Sequence, residues 1–252
     1  GNSLLEWNLT RVYSSLDDPD LRETLYEFDA GRSEFVLADE SQSGFRQFTD
    51  LNEDIWDPHV SLSTFFHGGG VAGSVKFGAS YRDRSRDFQA RRFRFVPLNT
   101  SGIDLTQSPE QIFAPENIRP DGFELREETR NTDSYDAKQI NRSYYGMLDI
   151  AFGRWRFIGG GRLENDLQRV NTFDPFTPDN ITVSTELNNT DFLPALNAIY
   201  QLNPQMNVRG SVSRTLNRPE FRELAPFDFT DVFGGRTIQG FAGLQRATIQ
   251  NF

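Results

Sequence analysis

The chain has 252 residues, a formal net charge of −10 and no cysteine, which excludes disulfide frameworks, thiolate nucleophiles and zinc–cysteine sites. All but two of its 26 basic residues are arginine, and the acidic balance opposes nucleic acid, whose phosphates demand a basic surface. Mean hydropathy is −0.57, and no stretch approaches the roughly 18 consecutive apolar residues of a membrane helix, but a transmembrane barrel stays open because its strands are half polar.

The opening "GNSLLEW" lacks a charged region followed by an apolar one, so it is not read as a signal peptide. It reads instead as the interior of a strand, as either a mature amino terminus or an excised piece of a longer chain would begin, and the rest of the chain favours the piece. "LLEWNLTRVY" (4–13) is the first candidate strand. The acidic run "SSLDDPDL", with Asp17, Asp18 and Asp20, lacks the glycine and distal glutamate of a calcium loop and reads as a solvated turn. "DLNEDIWDPH" gathers Glu53, Asp54, Asp57 and His59. One histidine among carboxylates at a strand start reads as polar wall rather than metal centre.

Period-2 alternation then dominates. "HVSLSTFF" (59–66) leads through "HGGG" into "VAGSVKFGASYR" (71–82), where Val71, Gly73, Val75, Phe77, Ala79 and Tyr81 share a face opposite Ser74, Lys76, Ser80 and Arg82. "RSRDFQARRFRFV" (84–96) mixes arginine with aromatics, a pattern known from single-strand nucleic-acid binding. In so acidic a chain it reads as a strand emerging into a charged loop. "SPEQIFAPENI" (108–118) offers Ser108 as N-cap and Pro109 at the first helical position, which predicts a short helix.

"RSYYGMLDIAF" (142–152) turns at Gly153 into "RWRFIGGGRLEND". There Trp155, Phe157, Gly159, Gly161 and Leu163 oppose Arg154, Arg156, Arg162 and Glu164. Neither Gly-Gly-Gly, at 68–70 or 159–161, has the lysine and following helix of a phosphate loop; turn and close strand packing are expected there. "DFLPALNAIYQL" (191–202) turns through "NPQ" into "MNVRGSVSRT", in which Met206, Val208, Gly210 and Val212 oppose Asn207, Arg209, Ser211 and Ser213. A last stub covers Ala247–Phe252.

Connections alternate between these tight turns and long stretches of roughly 14–55, 86–141, 169–190 and 217–245. A soluble sandwich has no reason to sort its connections so, whereas a transmembrane barrel has short turns on one side and long loops on the other. The expectation is an all-β, antiparallel transmembrane β-barrel segment. Its outer face would be apolar and its inner face would carry the charged candidates Arg162, Glu164, Arg209, Arg218, Glu220, Arg222 and Glu223. A soluble β-rich adhesin or carbohydrate-binding module is the alternative, suggested by low hydropathy and acidic charge. A hydrolase using Glu220 with Glu223, or Glu164 with Asp166, has no supporting motif, and a serine triad lacks its Gly-x-Ser-x-Gly elbow. No catalytic residue, metal ligand or cofactor is assigned, and the ligand-binding residues are left unassigned.

"LPALNAIYQLNPQMNVRGSVSRTLNRPEFRELAPF" (193–227) closely resembles a signature stretch of TonB-dependent outer-membrane receptors. In that stretch an "LPSLN"-like strand, a tight turn, an "S-x-T-x-x-R-P" strand end and "F-R-E-L-A-P-F" follow in order. "GGGRLE" (159–164) is similar to the family's "G-x-R-x-E" strand. "RQFTDLNEDIWD" and "KFGASYRDRSRDFQARRFRF" look like the subgroup with a carboxypeptidase-like domain ahead of the plug, and "SPEQIFAPENI" and "TDSYDAKQ" fit the loop between. One departure is "GFAGL" at 240–244, where the family usually reads "G-N-P-x-L".

The resemblance implies a 22-stranded barrel in the bacterial outer membrane, closed by an amino-terminal plug and driven by TonB. Its ligands would be ferric siderophores, cobalamin or oligosaccharides. On that reading residues 1–252 are a partial receptor β-barrel domain of about eight strands with long extracellular loops, lacking plug and remaining strands. Its partners would be the TonB complex, through the absent plug, outer-membrane lipid and an unspecified nutrient.

Overall fold

The computed structural model describes residues 2–40, 43–130, 132–174, 177–226, 228–230 and 237–252. In chain order the elements are β1 (Ser3–Glu23), β2 (Tyr26–Asp29), β3 (Glu34–Leu37), β4 (Phe45–Gly68), β5 (Val71–Pro97), α1 (Pro109–Ile112), β6 (Phe123–Glu127) and β7 (Ser134–Phe152). Then follow β8 (Trp155–Asp174), β9 (Thr177–Asn203), β10 (Met206–Asn217), α2 (Phe221–Leu224), β11 (Asp228–Thr230), β12 (Thr237–Gln239) and β13 (Ala247–Asn251). Eight strands form one antiparallel sheet in the order β1-β4-β5-β7-β8-β9-β10-β13, with β6 added beside the far end of β5. The sheet ends at β1 and β13, so it is an open piece of wall and not a closed barrel.

Each strand core read from the alternation is present, and so are the three tight turns. Gly69 and Gly70 take φ of 60° and 81°, and Gly153 takes 55°, the left-handed conformation that glycine adopts without a Cβ penalty. Ser108 caps α1, with Pro109 in its first turn, as the sequence predicts.

Several strand ends differ from expectation. β1, β4 and β5 are 21, 24 and 27 residues long, far beyond the alternating cores. The stretch 169–190, expected as a loop, is paired strand: β8 and β9 stay in register out to Thr172 opposite Val183, and after register shifts the pairing continues to Asp174 opposite Thr177. The physical reason is that these extensions carry polar residues on both faces, so no apolar period marks them. Cross-strand ion pairs hold them instead, such as Arg169 with Glu186 at 2.6 Å and Arg91 with Glu127 at 3.1 Å. Connections at this end therefore remain long at 24–44, 98–133 and 218–246, but not between β8 and β9.

Register aligns the faces across the whole sheet. One row reads Trp7, Val60, Ala79, Tyr144, Leu163 and Phe192 across six strands; the row two residues nearer the tight turns reads Leu5, Leu62, Phe77, Gly146, Gly161 and Pro194. These side chains lie open: Trp7 is 76% exposed, Leu5 64%, Phe77 60% and Phe192 58%. The opposite face is the inner one. On it, side chains two strands apart meet, as Lys76 does with Glu6 at 2.9 Å and His59 with Tyr145 at 3.1 Å. Neighbouring strands are about 4.8 Å apart, so such contacts require the sheet to curl toward that face.

Aromatic rings on the outward face lie over glycines of the next strand. Phe66 covers Gly73, Phe77 covers Gly146 and Phe192 covers Gly161. This places the second Gly-Gly-Gly in close strand packing: a Cβ on Gly160 would stand 2.2 Å from the Gly146 carbonyl oxygen. Gly160→Ala is therefore expected to force β7 and β8 apart and cost about 1–3 kcal/mol. Gly210→Ala, with nothing within 4 Å of its added Cβ, should be near neutral. Urea unfolding of the two variants reads the difference; equal midpoints would contradict the register.

Candidate functional site

Beyond Thr215 the chain stops alternating, and the structure shows where it goes. Residues 218–226 fold back over the inner face and α2 packs into it. Phe221, Leu224 and Ala225 are each at most 1% exposed and join Phe88, Ala90, Tyr135, Ala137, Val170 and Leu187 of β5, β7, β8 and β9 in one apolar cluster. This is the sheet's main core, and it lies at the loop end of the inner face.

Charged groups surround that core. Arg218 donates from Nη2 to Glu164 at 2.6 Å and lies 3.3 Å from Asp166. Glu164 also takes Arg162 at 2.6 Å. Arg84 bridges Glu53 at 2.8 Å and Glu220 at 3.1 Å, and Arg86 reaches the same Glu53. The Arg84 and Arg86 guanidinium carbons stand 4.6 and 5.5 Å from the Phe221 ring centre, so two cations cover its face. Gln168 donates to the Pro219 carbonyl at 3.0 Å, and Pro219 has no amide hydrogen left to satisfy. Downstream, Phe241 donates its backbone N–H to the Glu223 carbonyl at 2.7 Å. Gly240 lies so close that a Cβ would be 1.9 Å from the Ala225 carbonyl oxygen. The departure at 240–244 thus abuts the docked segment.

Of the seven candidate residues, the fold brings Arg162, Glu164, Arg218 and Glu220 into this cluster. Glu223 turns back to accept the Glu220 amide at 2.8 Å, as a helix cap. Arg222 is on the exposed side of α2. Arg209 stands apart on β10, opposite Ile199. The pairs weighed for hydrolysis are engaged in these contacts: Glu164 and Asp166 both face Arg218, and Asp166 also accepts from Gln139 and Asn141 at 2.9 Å.

The acidic groups weighed for metal are dispersed. Glu53, Asp57 and His59 are on the inner face, with Asp57 taking Arg82, while Asp54 is on the outer face with Arg11. Among the described residues no group of three metal-ligating side chains converges. Sequence reasoning missed Arg84, Arg86 and Arg246. Arg82, Arg84 and Arg86 recur with the same period that puts Lys76 inside, which was the available signal. Arg246 donates to Asp191 at 2.8 Å and Asn189 at 2.6 Å, tying the return of the chain to β9.

At the loop end, α1 closes over the tips of β1, β4 and β5 and leaves an open cavity of about 260 Å³ bounded by Arg22, Arg46, Phe45, Phe95, Phe113 and Pro109. Arg46 donates two hydrogen bonds to Asp20 at 2.8 Å, and Arg22 adds a third at 2.6 Å. These bonds, those from Arg46 first, hold the Asp20 carboxyl down at about 2, against an ordinary 3.8. The folded value lies below the unfolded one, so the stabilisation is complete above about pH 4 and disappears as pH falls through about 2. Amide exchange at 20–23 and 45–47 should accelerate over that window alone. Arg46→Gln should move the onset upward toward pH 4, and an unmoved onset would contradict the assignment.

Three comparisons with known proteins bear on these features. The family model described as TonB dependent receptor-like, beta-barrel, matches residues 2–251. A search of curated proteins gave no significant match. Among solved structures, the ferric citrate transporter FecA in its unliganded form superposes with a TM-score of 0.52 at 16% identity, over 84% of this chain and 25% of that one. The ferric-catecholate import receptor Fiu from K12 E. coli superposes with a TM-score of 0.51 at 15% identity, over 84% of this chain and 30% of that one. The chain thus spans about a quarter to a third of the length of the structures it resembles.

Proposed function

Since this chain belongs to the TonB-dependent receptor-like β-barrel family, we infer that it is part of the wall of an outer-membrane receptor that imports a scarce nutrient with energy delivered by TonB. The observation that carries this reading is the division between faces. From the tight turns up to the row holding Trp7, Val60, Ala79 and Tyr144, the described outward-facing residues of β1, β4, β5, β7, β8 and β9 are all uncharged. Over the same height the inner face carries the pairs Glu6–Lys76 and Asp149–Arg156. Charge on one face only is what a sheet between hydrocarbon and water requires.

The inner wall, with Arg162, Glu164, Arg209, Arg218, Glu220, Arg222 and Glu223, then lines a wet lumen, and the structured excursions at the loop end stand outside the cell. "RQFTDLNEDIWD" supports the subgroup with a carboxypeptidase-like domain ahead of the plug. Ferric chelates are the first ligand class to test, because FecA and Fiu are named for ferric ligands; cobalamin and oligosaccharides follow. Deleting the full-length receptor gene should abolish energy-dependent uptake of one of these classes, and loss of TonB should do the same. Native full-length protein that is monodisperse without detergent would instead favour the soluble binding module.

A further inference from the structure

The segment after β10 leaves the sheet and comes back along it. From Asn217 the chain crosses β9 and reaches β8, where Arg218 meets Glu164 at 2.6 Å and Gln168 holds the Pro219 carbonyl at 3.0 Å. It continues over β7 to β5, where Arg84 meets Glu220 at 3.1 Å and stands with Arg86 over the Phe221 ring. The return passes Phe241, whose amide donates to the Glu223 carbonyl, and reaches Arg246, tied to Asp191 of β9 at 2.8 Å. Both limbs are anchored on the wall. With neighbouring strands about 4.8 Å apart, the excursion covers roughly 14 Å of the inner face, from β9 to β5.

A segment that opens and closes has few buried apolar contacts. This one has the opposite character. Phe221, Leu224 and Ala225 are each at most 1% exposed, and Pro219 is buried. Three of the nine buried residues of the main core cluster come from this segment, so the upper wall has no sealed core without it. Lifting α2 would bare these side chains together with Tyr135 and Val170 of the same cluster. It would also take Arg218 from Glu164 and Asp166, leaving two carboxylates two residues apart on β8 with their shared cation gone.

We propose that residues 218–226 are a fixed inner layer of the wall and not a gate. They stay docked while the nutrient passes. Its route runs along the exposed side of α2, which carries Arg222, and never between α2 and the sheet. The inference rests on the proposed import function, and its test separates the two.

The test uses the full-length receptor in cells supplied in turn with ferric citrate, a ferric catecholate, cobalamin and a maltooligosaccharide. The variants Leu224→Cys, Ala225→Cys and, as the accessible reference, Arg222→Cys are each exposed to a membrane-impermeant thiol reagent. Positions 224 and 225 should react about 100-fold more slowly than 222, equally at rest and during uptake. In a second arm, Arg84→Cys with Glu220→Cys is bridged by a cleavable bis-methanethiosulfonate, which fastens α2 to β5. Uptake by this double variant should be unaltered by bridging and by cleavage, whereas locking a gate would stop it. Faster labelling of 224 and 225 during uptake, or labelling at rest as fast as 222, would overturn the inference alone. So would uptake that stops on bridging and returns on cleavage. A parent receptor that takes up none of the four compounds would overturn it together with the proposed function.

Discussion

Val75→Arg is expected to cost roughly 2–4 kcal/mol of folding stability in a bilayer, whereas Ser74→Arg, one residue away, should cost a small fraction of that. Val75 lies in an outward row with Thr64 and Leu148, midway between the tight turns and the rim. A guanidinium there would sit in hydrocarbon with no carboxylate within reach. Ser74 faces inward opposite Asp149, which already holds Arg156, so an added cation finds both water and an acid. Both strands keep their backbone ladder in either variant, so the difference isolates the surroundings of the side chain. Urea titration of the full-length receptor in bilayers measures it. Equal losses would mean that the two faces see the same solvent.

Phe221→Ala should be the most damaging truncation on the inner face, at about 3–5 kcal/mol. The ring is fully buried, packs with Tyr135 and Val170 in the core cluster, and lies beneath Arg84 and Arg86. Its loss leaves a void and removes the surface on which both guanidiniums rest. The wider effect follows from connectivity, since α2 holds 218–226 against β8 and 240–244 rests on α2 in turn. Amide exchange should therefore rise together at 221–225 and 241–244, while β7 and β8 below Tyr144 and Leu163 stay protected. A loss confined to α2 would show that the downstream segment docks independently.

The lower half of the wall was legible because one physical rule governs it. Val75, Phe77, Val208 and Val212 alternate with Lys76, Arg209 and Ser211, and hairpin glycines mark the turns. Above the rim that rule lapses. Arg82 to Asp87 are polar at every position and charged at all but Ser85, so period 2 in hydropathy vanishes although the strand continues. Only the register reveals that Arg84 and Arg86 face inward with Lys76. The docking of "NRPEFREL" was half legible. Its arginines and glutamates suggested pairing with the inner wall, but Arg84 meets Glu220 across 136 residues of sequence. No local pattern specifies such a contact. The 169–190 stretch failed for a related reason: Arg169 opposite Glu186, and Asn171 opposite Ser184, stabilise a strand pair without any apolar alternation.

The most direct test uses single cysteines placed in this stretch of wall, which has none of its own. Single cysteines at 207 through 212 of the full-length receptor, spin-labelled in bilayers, report whether each position meets dissolved oxygen in lipid or a nickel chelate in water. Labels at 208, 210 and 212 should collide mainly with oxygen, and those at 207, 209 and 211 mainly with nickel. Uniform access to nickel along all six positions would contradict a strand that stands between oil and water.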